Sequence, residues 1–233
     1  MGAVRHKGFI PWDDDIDLGM TRENYEKFKK VVIDKRHLKV AAPGITPEYP
    51  YFFAKFYSTD YCCIEEMDCQ LPGLGINIDI FPIDYVPESS FLRFIQDNLI
   101  SALVLMLNIK VILPSKSRGL VKNCAHLVLK KVLKPIKVGF ITSLIDKVTK
   151  YTDKTAKMGC RASVYRKNEC FDSHFFDDSV KTDFENLQCM IPREAASLLS
   201  GIYGDYLVPP SPERRLSNHH TTIFYRSSEY SDQ

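Results

Sequence analysis

The sequence has little net charge, no paired-cysteine motif and no uncharged apolar run long enough to cross a membrane. Its net charge of +2 is too small to indicate a nucleic-acid partner. Its 7 cysteines are scattered without a Cys-x-x-Cys pair, which argues against a zinc site or a disulfide framework and favours reduced cytosolic thiols. The N-terminus reaches Asp13 without the apolar segment of a signal peptide. We therefore expect a cytoplasmic protein.

The motifs of several enzyme classes are also missing. There is no serine in a Gly-x-Ser-x-Gly context, no cysteine beside a histidine and no glycine-rich phosphate loop ending in Lys-Ser/Thr. A hydrolase with a side-chain nucleophile is therefore not indicated. A pair of acids for glycoside hydrolysis stays open on spacing alone, although clustered aspartates fit metal binding better.

The length of 233 residues suits one large domain with an insertion, so we treat residues 1–233 as a single domain. Short alternating segments and amphipathic runs follow one another, which predicts an α/β (α+β) fold with a mixed sheet flanked by helices. The predicted elements are a strand over 15–19, a helix over 22–34, a hairpin of 51–58 with 61–65, a strand over 76–81 closed by Pro82, β-like segments at 162–165 and 184–190, a helix opened by Pro192, and a flexible tail over 226–233.

Residues 88–157 differ in character and predict a helical insertion. Ser89 or Ser90 caps a first helix that ends at Pro114. Two further helices are predicted over roughly 119–133 and 140–157. The apolar part of the first helix covers about a dozen residues, short of the roughly 20 that span a bilayer.

Lysines are frequent in this insertion, at positions 110, 116, 122, 130, 131, 134 and 137. Clusters of this kind are more often solvated helix faces than binding surfaces. The alternative is a peripheral contact between region 88–157 and anionic lipid head groups at the inner face of the cell membrane.

An acidic stretch follows the only tryptophan, with four aspartates within five residues directly after Trp12. Carboxylates this close repel one another unless a cation lies between them. Polar and apolar residues alternate here, so we expect a strand with Asp15 and Asp17 on one face and with Ile16 and Leu18 in the core. A solvated turn is the usual meaning of an acidic run, but paired carboxylates on a strand suit Mg²⁺ or Mn²⁺.

A third aspartate, Asp79, lies on a second alternating segment, on the face opposite Ile78 and Ile80. Taken alone, Asp79 is typical of an edge-strand residue that faces water. If Asp15, Asp17 and Asp79 converge, they can ligate one or two divalent ions that bridge phosphate oxygens and neutralise the leaving group. That arrangement predicts phosphoryl or nucleotidyl transfer.

The sequence resembles the LicD family in four blocks that occur in the family's order. The first and most specific block covers residues 2–20 and 22–25 and contains Pro11-Trp12-Asp13-Asp14-Asp15-Ile16-Asp17. The later blocks are Ile78-Asp79-Ile80-Phe81-Pro82-Ile83-Asp84, residues 184–192, and Tyr203-Gly204-Asp205-Tyr206 with Pro209, Pro210 and an Arg–His tail. Together they cover nearly the whole chain. The resemblance implies a nucleotidyltransferase-type α/β fold.

The resemblance also implies the activity. Family members transfer phosphocholine from CDP-choline onto cell-surface glycans such as teichoic acid, capsule or lipopolysaccharide. The fukutin-related branch transfers other alcohol phosphates, such as ribitol phosphate, from CDP donors. The expected partners are therefore a CDP-alcohol donor and a glycan or glycolipid acceptor.

Carried over by position, Asp15, Asp17 and Asp79 match the metal-binding, catalytic acids of the family. The substrate-binding residues that the resemblance implies are Arg5 and His6 near the donor phosphates, Trp12 and Asp13 beside them, Asp84 in a supporting or acceptor-side role, and Arg214, Arg215, His219 and His220 over the diphosphate. Solvated charge is the alternative interpretation of the four tail residues.

One part of the family pattern is absent from this sequence. Family members carry a helix and a strand, ending in Gly-Ser/Thr-Leu-Leu, before the Gly-Ala-Val-Arg that here follows Met1. We therefore expect that the first strand and helix of the fold are missing from this sequence, either because the start codon was placed too late or because the gene is truncated. A truncated gene predicts an unpaired sheet edge. Two functions stay open: a metal-dependent transferase, or an N-terminally truncated, inactive paralogue that binds metal or a glycan without turnover.

Overall fold

A nine-residue strand, Asn77–Tyr85, lies at the centre of the molecule and pairs with three other strands. The computed structural model describes residues 1–225 except 32, 34, 66, 70, 72, 114–118 and 216–220. The described strands and α-helices are α1 (Gly2–Arg5), β1 (Asp17–Thr21), α2 (Arg22–Phe28), β2 (Leu38–Ala41), β3 (Ala54–Ser58), β4 (Tyr61–Glu65), β5 (Asn77–Tyr85), α3 (Ser90–Val111), α4 (Leu120–Val132), α5 (Val138–Thr149), β6 (Lys157–Gly159), β7 (Phe171–Asp172), β8 (Ser179–Phe184), β9 (Leu187–Pro192), α6 (Ala195–Tyr203) and β10 (Thr221–Tyr225). Short 3-10 helices cover Ser173–Phe176 and Pro212–Arg214.

The main sheet is mixed and has six strands. Strand β5 pairs in parallel with β1 and antiparallel with β3 and β6, while β2 and β7 extend the sheet beyond β3 and β6. The predicted α/β class with a mixed sheet flanked by helices is confirmed. The prediction that Pro82 closes the strand is wrong, because Pro82 pairs in register with Met20 and the strand continues to Tyr85. A proline removes one ladder donor, and the neighbouring pairs hold the strand together.

The predicted order of strand, tight turn and helix at the acidic stretch is confirmed, with shifted bounds. Strand β1 begins at Asp17 rather than 15, and α2 ends at Phe28 rather than 34. Tyr25 anchors α2, because its side chain is fully buried against Ala54 and Ile80. Leu18 is exposed, contrary to expectation, because β1 pairs only with β5 in the described part of the sheet and leaves one edge uncovered.

The predicted hairpin of 51–58 with 61–65 is wrong. Strand β3 lies between β2 and β5, so both of its edges are occupied. Strand β4 instead pairs with β10 near the other end of the chain. A local pattern of β-forming residues indicates a strand, but it does not specify the strand's partner.

The helical insertion consists of α3, α4 and α5, as predicted. Ser89 caps α3 by accepting a hydrogen bond from the backbone N–H of Leu92. The third helix ends at Thr149 instead of 157, and residues 157–159 return to the main sheet as β6. The predicted stop at Pro114 lies outside the described residues. Helices α3 and α5 share an apolar core, which is formed by Leu103, Leu107, Val111, Val138, Ile141 and Ile145.

Among the described helices, α3 is long and apolar enough to cross a membrane by length and composition. The helix covers 22 residues, so it is longer than the apolar run that the sequence suggests, and 22% of its apolar window is buried in the protein. Gln96 fixes its N-terminal half to α5 by donating to the carbonyl of Val148 at 2.9 Å.

The C-terminal third begins with a hairpin of β8 and β9, which includes the predicted β-like segment 184–190. Residues 162–165 form turns rather than a strand. Pro192 is the last residue of β9 and does not open the following helix. That helix, α6, ends where predicted, because Gly204 adopts the left-handed backbone (φ 72°) that favours glycine. The predicted flexible tail 226–233 lies outside the described residues.

Candidate active site

Asp17 and Asp79 lie side by side across two parallel strands. They are register partners in the pairing of β1 with β5, so their side chains project from the same face of the sheet. Asp17 is exposed, and the side chain of Asp79 is 13% exposed. The convergence of these two acids, 62 positions apart in the numbering, fits the sequence prediction.

Lys55 extends this row on the other side of Asp79. It is the register partner of Asp79 in the pairing of β3 with β5. Its ammonium lies 2.8 Å from Oδ1 of Asp79 and 2.9 Å from Oδ1 of Asn77. The ammonium also lies 4.5 Å from the ring centroid of Tyr51. A buried ion pair of this kind fixes the Asp79 carboxylate at the centre of the row.

Sequence reasoning did not find Lys55. The residue is 4% exposed although it is charged, and a fully buried lysine is rare unless it is paired. The available signal was a lysine within the β-rich, aromatic segment that becomes β3. Because its partner Asp79 is distant in sequence, only the strand register identifies the pair.

Burial raises the pKa of Asp79, and the positive charge of Lys55 opposes that rise. The negative charge of Asp15 acts in the same direction as burial, which indicates that Asp15 is near Asp79. Asp15 and Asp79 therefore share one electrostatic environment, and strand register places Asp17 beside Asp79.

Asp15 is not on the strand, contrary to the sequence prediction. It lies in the segment before β1, and the strand-like pairing there is limited to a hydrogen bond from the N–H of Asp79 to the carbonyl of Ile16 at 2.9 Å. Among the described residues, the carboxylates that are close enough to share an ion are those of Asp13, Asp14 and Asp15, with ligand oxygens within 4.8 Å of one another. Asp14 was not among the predicted site residues. Hard oxygen donors of this type suit Mg²⁺ or Mn²⁺, although exposed acids also cluster without an ion.

Trp12 lies beside three cationic or titratable side chains. The guanidinium of Arg215 is 4.8 Å from the ring centroid of Trp12, and the guanidinium of Arg5 is 5.8 Å from the same centroid. The imidazole of His6 meets the same indole edge to face, at 5.8 Å between ring centroids. The structure therefore brings together four predicted substrate-binding residues from opposite ends of the chain.

Arg5 also ties this cluster to the last LicD-like block. One of its terminal nitrogens donates to the carbonyl of Tyr206 at 2.6 Å, and its Nε donates to Nδ1 of His6 at 3.3 Å. Partial burial and the positive charge of Arg5 lower the pKa of His6. His6 is therefore neutral at neutral pH. Arg214 lies in the short 3-10 helix before Arg215, while His219 and His220 lie outside the described residues.

Tyr203, at the end of α6, belongs to the last LicD-like block but was not among the predicted site residues. The pKa of Tyr203 is raised to about 12. Burial is the largest cause, and the negative charges of neighbouring groups add to it, namely Tyr165, Glu169, Asp17 and Asp13. These influences place the Tyr203 hydroxyl in the field of the acidic stretch. The ring of Tyr203 contacts that of Tyr165, with 5.3 Å between centroids.

Asp84 is on the opposite face of β5 from Asp79, because their positions differ by five, an odd number, and successive side chains on a strand alternate between its two faces. It is fully buried, and both of its oxygens bind Arg22 of α2, at 2.6 Å and 2.7 Å. Arg22 also donates to Asp146 of α5 at 2.6 Å. Through Arg22 the carboxylate holds α2 and α5 against the sheet, an arrangement that fits the supporting role among the two roles expected for Asp84, while a contact with the acceptor stays a prediction.

Comparison with known proteins identifies relatives of this chain. Residues 1–100 match the family model described as LicD/FKTN/FKRP, nucleotidyltransferase domain. The chain is 28% identical over 237 aligned positions to the lipopolysaccharide cholinephosphotransferase LicD of Haemophilus influenzae, and the match covers 97% of this chain and 85% of that protein. No solved structure matches. The matched residues 1–100 include Asp15, Asp17 and Asp79, and also Arg5, His6 and Trp12, but not Arg215.

Proposed function

We propose that this chain is a phosphotransferase that moves phosphocholine from CDP-choline to a hydroxyl group of lipopolysaccharide or a similar surface glycan. The match of residues 1–100 to the LicD/FKTN/FKRP family model supports this proposal. The name of its Haemophilus relative supports both the transferred group and the acceptor. The observation that carries the proposal is the register that sets Asp17 beside Asp79, close to the Asp13–Asp15 carboxylates.

In the proposed reaction, the oxygen of the acceptor hydroxyl attacks the phosphorus of the phosphocholine group in line. A P–O bond to the acceptor forms while the P–O bond to CMP breaks, and CMP leaves with that electron pair. The hydroxyl proton passes to a carboxylate, which is Asp13 or one of the three acids Asp15, Asp17 and Asp79.

Asp15, which lies in the cluster with Asp13 and Asp14, and the neighbouring register pair Asp17 and Asp79 would hold one or two ions of Mg²⁺ or Mn²⁺. Their carboxylate oxygens are the donors that these ions prefer, and a bound ion supplies positive charge against the phosphates. Lys55 supports this assignment, since its ammonium keeps Asp79 in place and adds a fixed positive charge beside it.

Arg5 and Arg215 are the residues that we assign to the donor diphosphate. Guanidinium groups bind phosphate oxygens in pairs of parallel hydrogen bonds, and both groups lie against Trp12 near the acidic stretch. The indole supplies a flat apolar surface for the rest of the donor. Neutral His6 can accept or donate a hydrogen bond there without adding charge.

A glycolipid acceptor requires access to a membrane, and we assign that contact to the helical insertion. Large apolar side chains are exposed on its three helices, including Phe91, Leu105, Val121, Val128 and Phe140. Exposed lysines accompany them at 122, 131, 134 and 137. An apolar surface with adjacent positive charge fits the interface of a bilayer that contains anionic lipids. The proposed location is the cytoplasmic face of the cell membrane.

The experiment that tests this function is a donor comparison with the full chain. The protein is incubated with lipopolysaccharide and Mg²⁺ plus CDP-choline, CDP-ribitol or CDP-glycerol, and CMP release is measured. We expect acceptor-dependent CMP release that is fastest with CDP-choline. CMP release with none of the donors, together with metal binding by calorimetry, would replace the proposal with a protein that binds without turnover.

A further inference from the structure

A polar cavity lies on the insertion side of the molecule, between the N-terminal half of α3 and the loop that joins β6 to β7. Its volume is about 410 Å³. The residues that line it are Ser90, Arg93, Phe94, Asp97, Asn98, Ser101, Arg161, Lys167 and Cys170. None of these residues belongs to the candidate active site.

The cavity is rich in positive charge. Its lining contains three cations, Arg93, Arg161 and Lys167, and one carboxylate, Asp97. Arg161 binds Asp97, whereas Arg93, Lys167 and the adjacent Arg166 form no ion pair with a carboxylate in the described part of the chain. The lining therefore has a net positive charge: Arg161 is paired with Asp97 and lies near the buried Glu169, while Arg93 and Lys167 have no carboxylate partner among the described residues.

Two arginines, Arg161 in the cavity lining and the partly buried Arg166 beside it, each have a buried Nε atom without a hydrogen-bond partner among the described residues. Arg161 is 1% exposed, and its Nε has no hydrogen-bond partner among the described residues. The buried Nε of Arg166 also has no hydrogen-bond partner among the described residues, although a terminal nitrogen of Arg166 donates to the hydroxyl of Ser101 at 2.6 Å. Leaving a buried charged donor unpaired is unfavourable, so such groups are usually satisfied by a ligand, water or ion.

The arrangement of the remaining donors favours an anion with several oxygens. Arg93 is held only by weak partners, the sulfur of Cys170 at 3.3 Å and the hydroxyl of Ser90 at 3.1 Å. Lys167 is exposed at the rim of the cavity. Guanidinium and ammonium groups that converge without carboxylate partners are the recognition chemistry of phosphate.

Apolar side chains at the mouth of the cavity add a second requirement. Phe94 lines the cavity and is 65% exposed, and Phe91, Ile95 and Leu99 of the same helix are exposed beside it. A ligand that satisfies both the cations and these side chains carries a phosphate group and an acyl chain. The loop that forms the other wall also reaches the active site, through the contact of Tyr165 with Tyr203.

We propose that this cavity binds the phosphate group of a lipid. The phosphate contacts Arg93, Arg161 and Lys167, and the acyl chains lie along the exposed side chains of α3. A phospholipid head group or the lipid-linked phosphate of an acceptor supplies the same chemistry. A lipid bound in this cavity would hold the helical insertion at the membrane, near the proposed transferase site. The lipid-phosphate site does not depend on the proposal of phosphocholine transfer.

Calorimetry with two soluble probes tests this proposal without donor, metal or turnover. The probes are dihexanoyl phosphatidic acid, which has a phosphate and short acyl chains, and glycerol 3-phosphate, which has the phosphate alone. The Arg93→Gln/Lys167→Gln variant removes two cavity cations. The matched control, Lys35→Gln/Lys39→Gln, removes two exposed lysines from the segment around β2.

We expect phosphatidic acid to bind the unmodified protein and to bind the cavity variant at least about tenfold more weakly, since each lost cation contributes on the order of 1 kcal/mol. The control should stay within about twofold, because its lysines lie outside the cavity. Weaker binding of glycerol 3-phosphate assigns the site to lipids, and equal binding assigns it to phosphate esters in general. Failure of both probes to bind, or an equal loss in both variants, overturns the proposal.

A folding control accompanies these measurements. Circular dichroism and thermal unfolding verify each variant, and Lys167→Gln alone replaces the double variant if the latter is unstable, because Lys167 is exposed. If the unmodified protein binds phosphatidic acid but releases no CMP, the transferase proposal alone is contradicted. If it releases CMP but does not bind phosphatidic acid, the lipid-phosphate site alone is contradicted.

Discussion

Asp79 is the middle residue of a row across the sheet, with Asp17 in register on one side and Lys55 on the other. Lys55 is almost fully buried, and its ammonium forms an ion pair with the Asp79 carboxylate at 2.8 Å. The row combines a structural ion pair with an exposed acid, Asp17, at the edge of the proposed metal site.

The first prediction concerns Lys55. The Lys55→Met substitution leaves Asp79 buried without its cation, so we expect the free energy of unfolding to fall by about 3 kcal/mol. Urea denaturation measures the change, and Lys39→Met, on the exposed face of the neighbouring β2, is the control. Equal midpoints for Lys55→Met and the unmodified protein would show that the ion pair does not stabilise the fold.

The second prediction separates Asp84 from the active site. Asp84→Ala leaves Arg22 buried beside Asp146 with one partner fewer, and we expect it to lower the free energy of unfolding by about 3 kcal/mol. At a temperature where the variant is folded, KM for the acceptor should be unchanged, because the carboxylate lies on the opposite face of β5 from Asp79. A large increase in KM without a loss of stability would restore Asp84 as an acceptor-binding residue.

The third prediction uses Trp12, the only tryptophan in the chain. Because Arg215 and Arg5 lie against its ring, titration with CDP-choline should change the tryptophan emission. Arg215→Gln removes one charged contact and should weaken this titration by about tenfold or more. Arg193→Gln is a suitable control, since Arg193 is an exposed arginine paired with Asp178 at the end of the β8–β9 hairpin. Unaltered affinity in Arg215→Gln would argue against donor binding at Trp12.

The fourth prediction is a dependence of stability on pH. Partial burial and then Arg5 lower the pKa of His6 from 6.5, so the unfolded chain binds a proton more readily than the folded chain. The contribution of His6 to stability is therefore present above pH 6.5 and falls as pH decreases toward the lowered pKa. Urea unfolding at several pH values should give a steeper loss on acidification below 6.5 for the unmodified protein than for His6→Gln. Identical slopes, or a steeper loss in His6→Gln, would contradict the assignment.

Local patterns in the sequence predicted the elements whose character depends on their own residues. The alternation around Asp79 gave the central strand, and the long apolar and amphipathic runs gave the three insertion helices, because burial of one face imposes these periods directly. The family resemblance placed Arg5, His6 and Trp12 in the first block and Arg215 in the tail as donor-binding residues, and the structure adds that Arg215 lies against Trp12.

The features that were missed depend on partners distant in sequence. The segment 61–65 reads as half of a hairpin, but its partner is β10, some 160 residues further along the chain. Asp15 seemed to share a strand with Asp17, yet the ladder to β5 begins at Asp17. The ion pair of Lys55 with Asp79 and that of Asp84 with Arg22 likewise follow from strand register and helix packing, which no local pattern encodes.

The most direct measurement of the central claim is CMP release by Asp17→Asn, with CDP-choline, lipopolysaccharide and Mg²⁺. Asp153→Asn, which changes an exposed aspartate in the loop between α5 and β6, is the matched control. We expect Asp17→Asn to abolish transfer while its free energy of unfolding stays within about 1 kcal/mol of the unmodified protein, and we expect Asp153→Asn to retain full activity. Undiminished transfer by a folded Asp17→Asn variant would contradict the assignment of the Asp17–Asp79 pair as the catalytic centre.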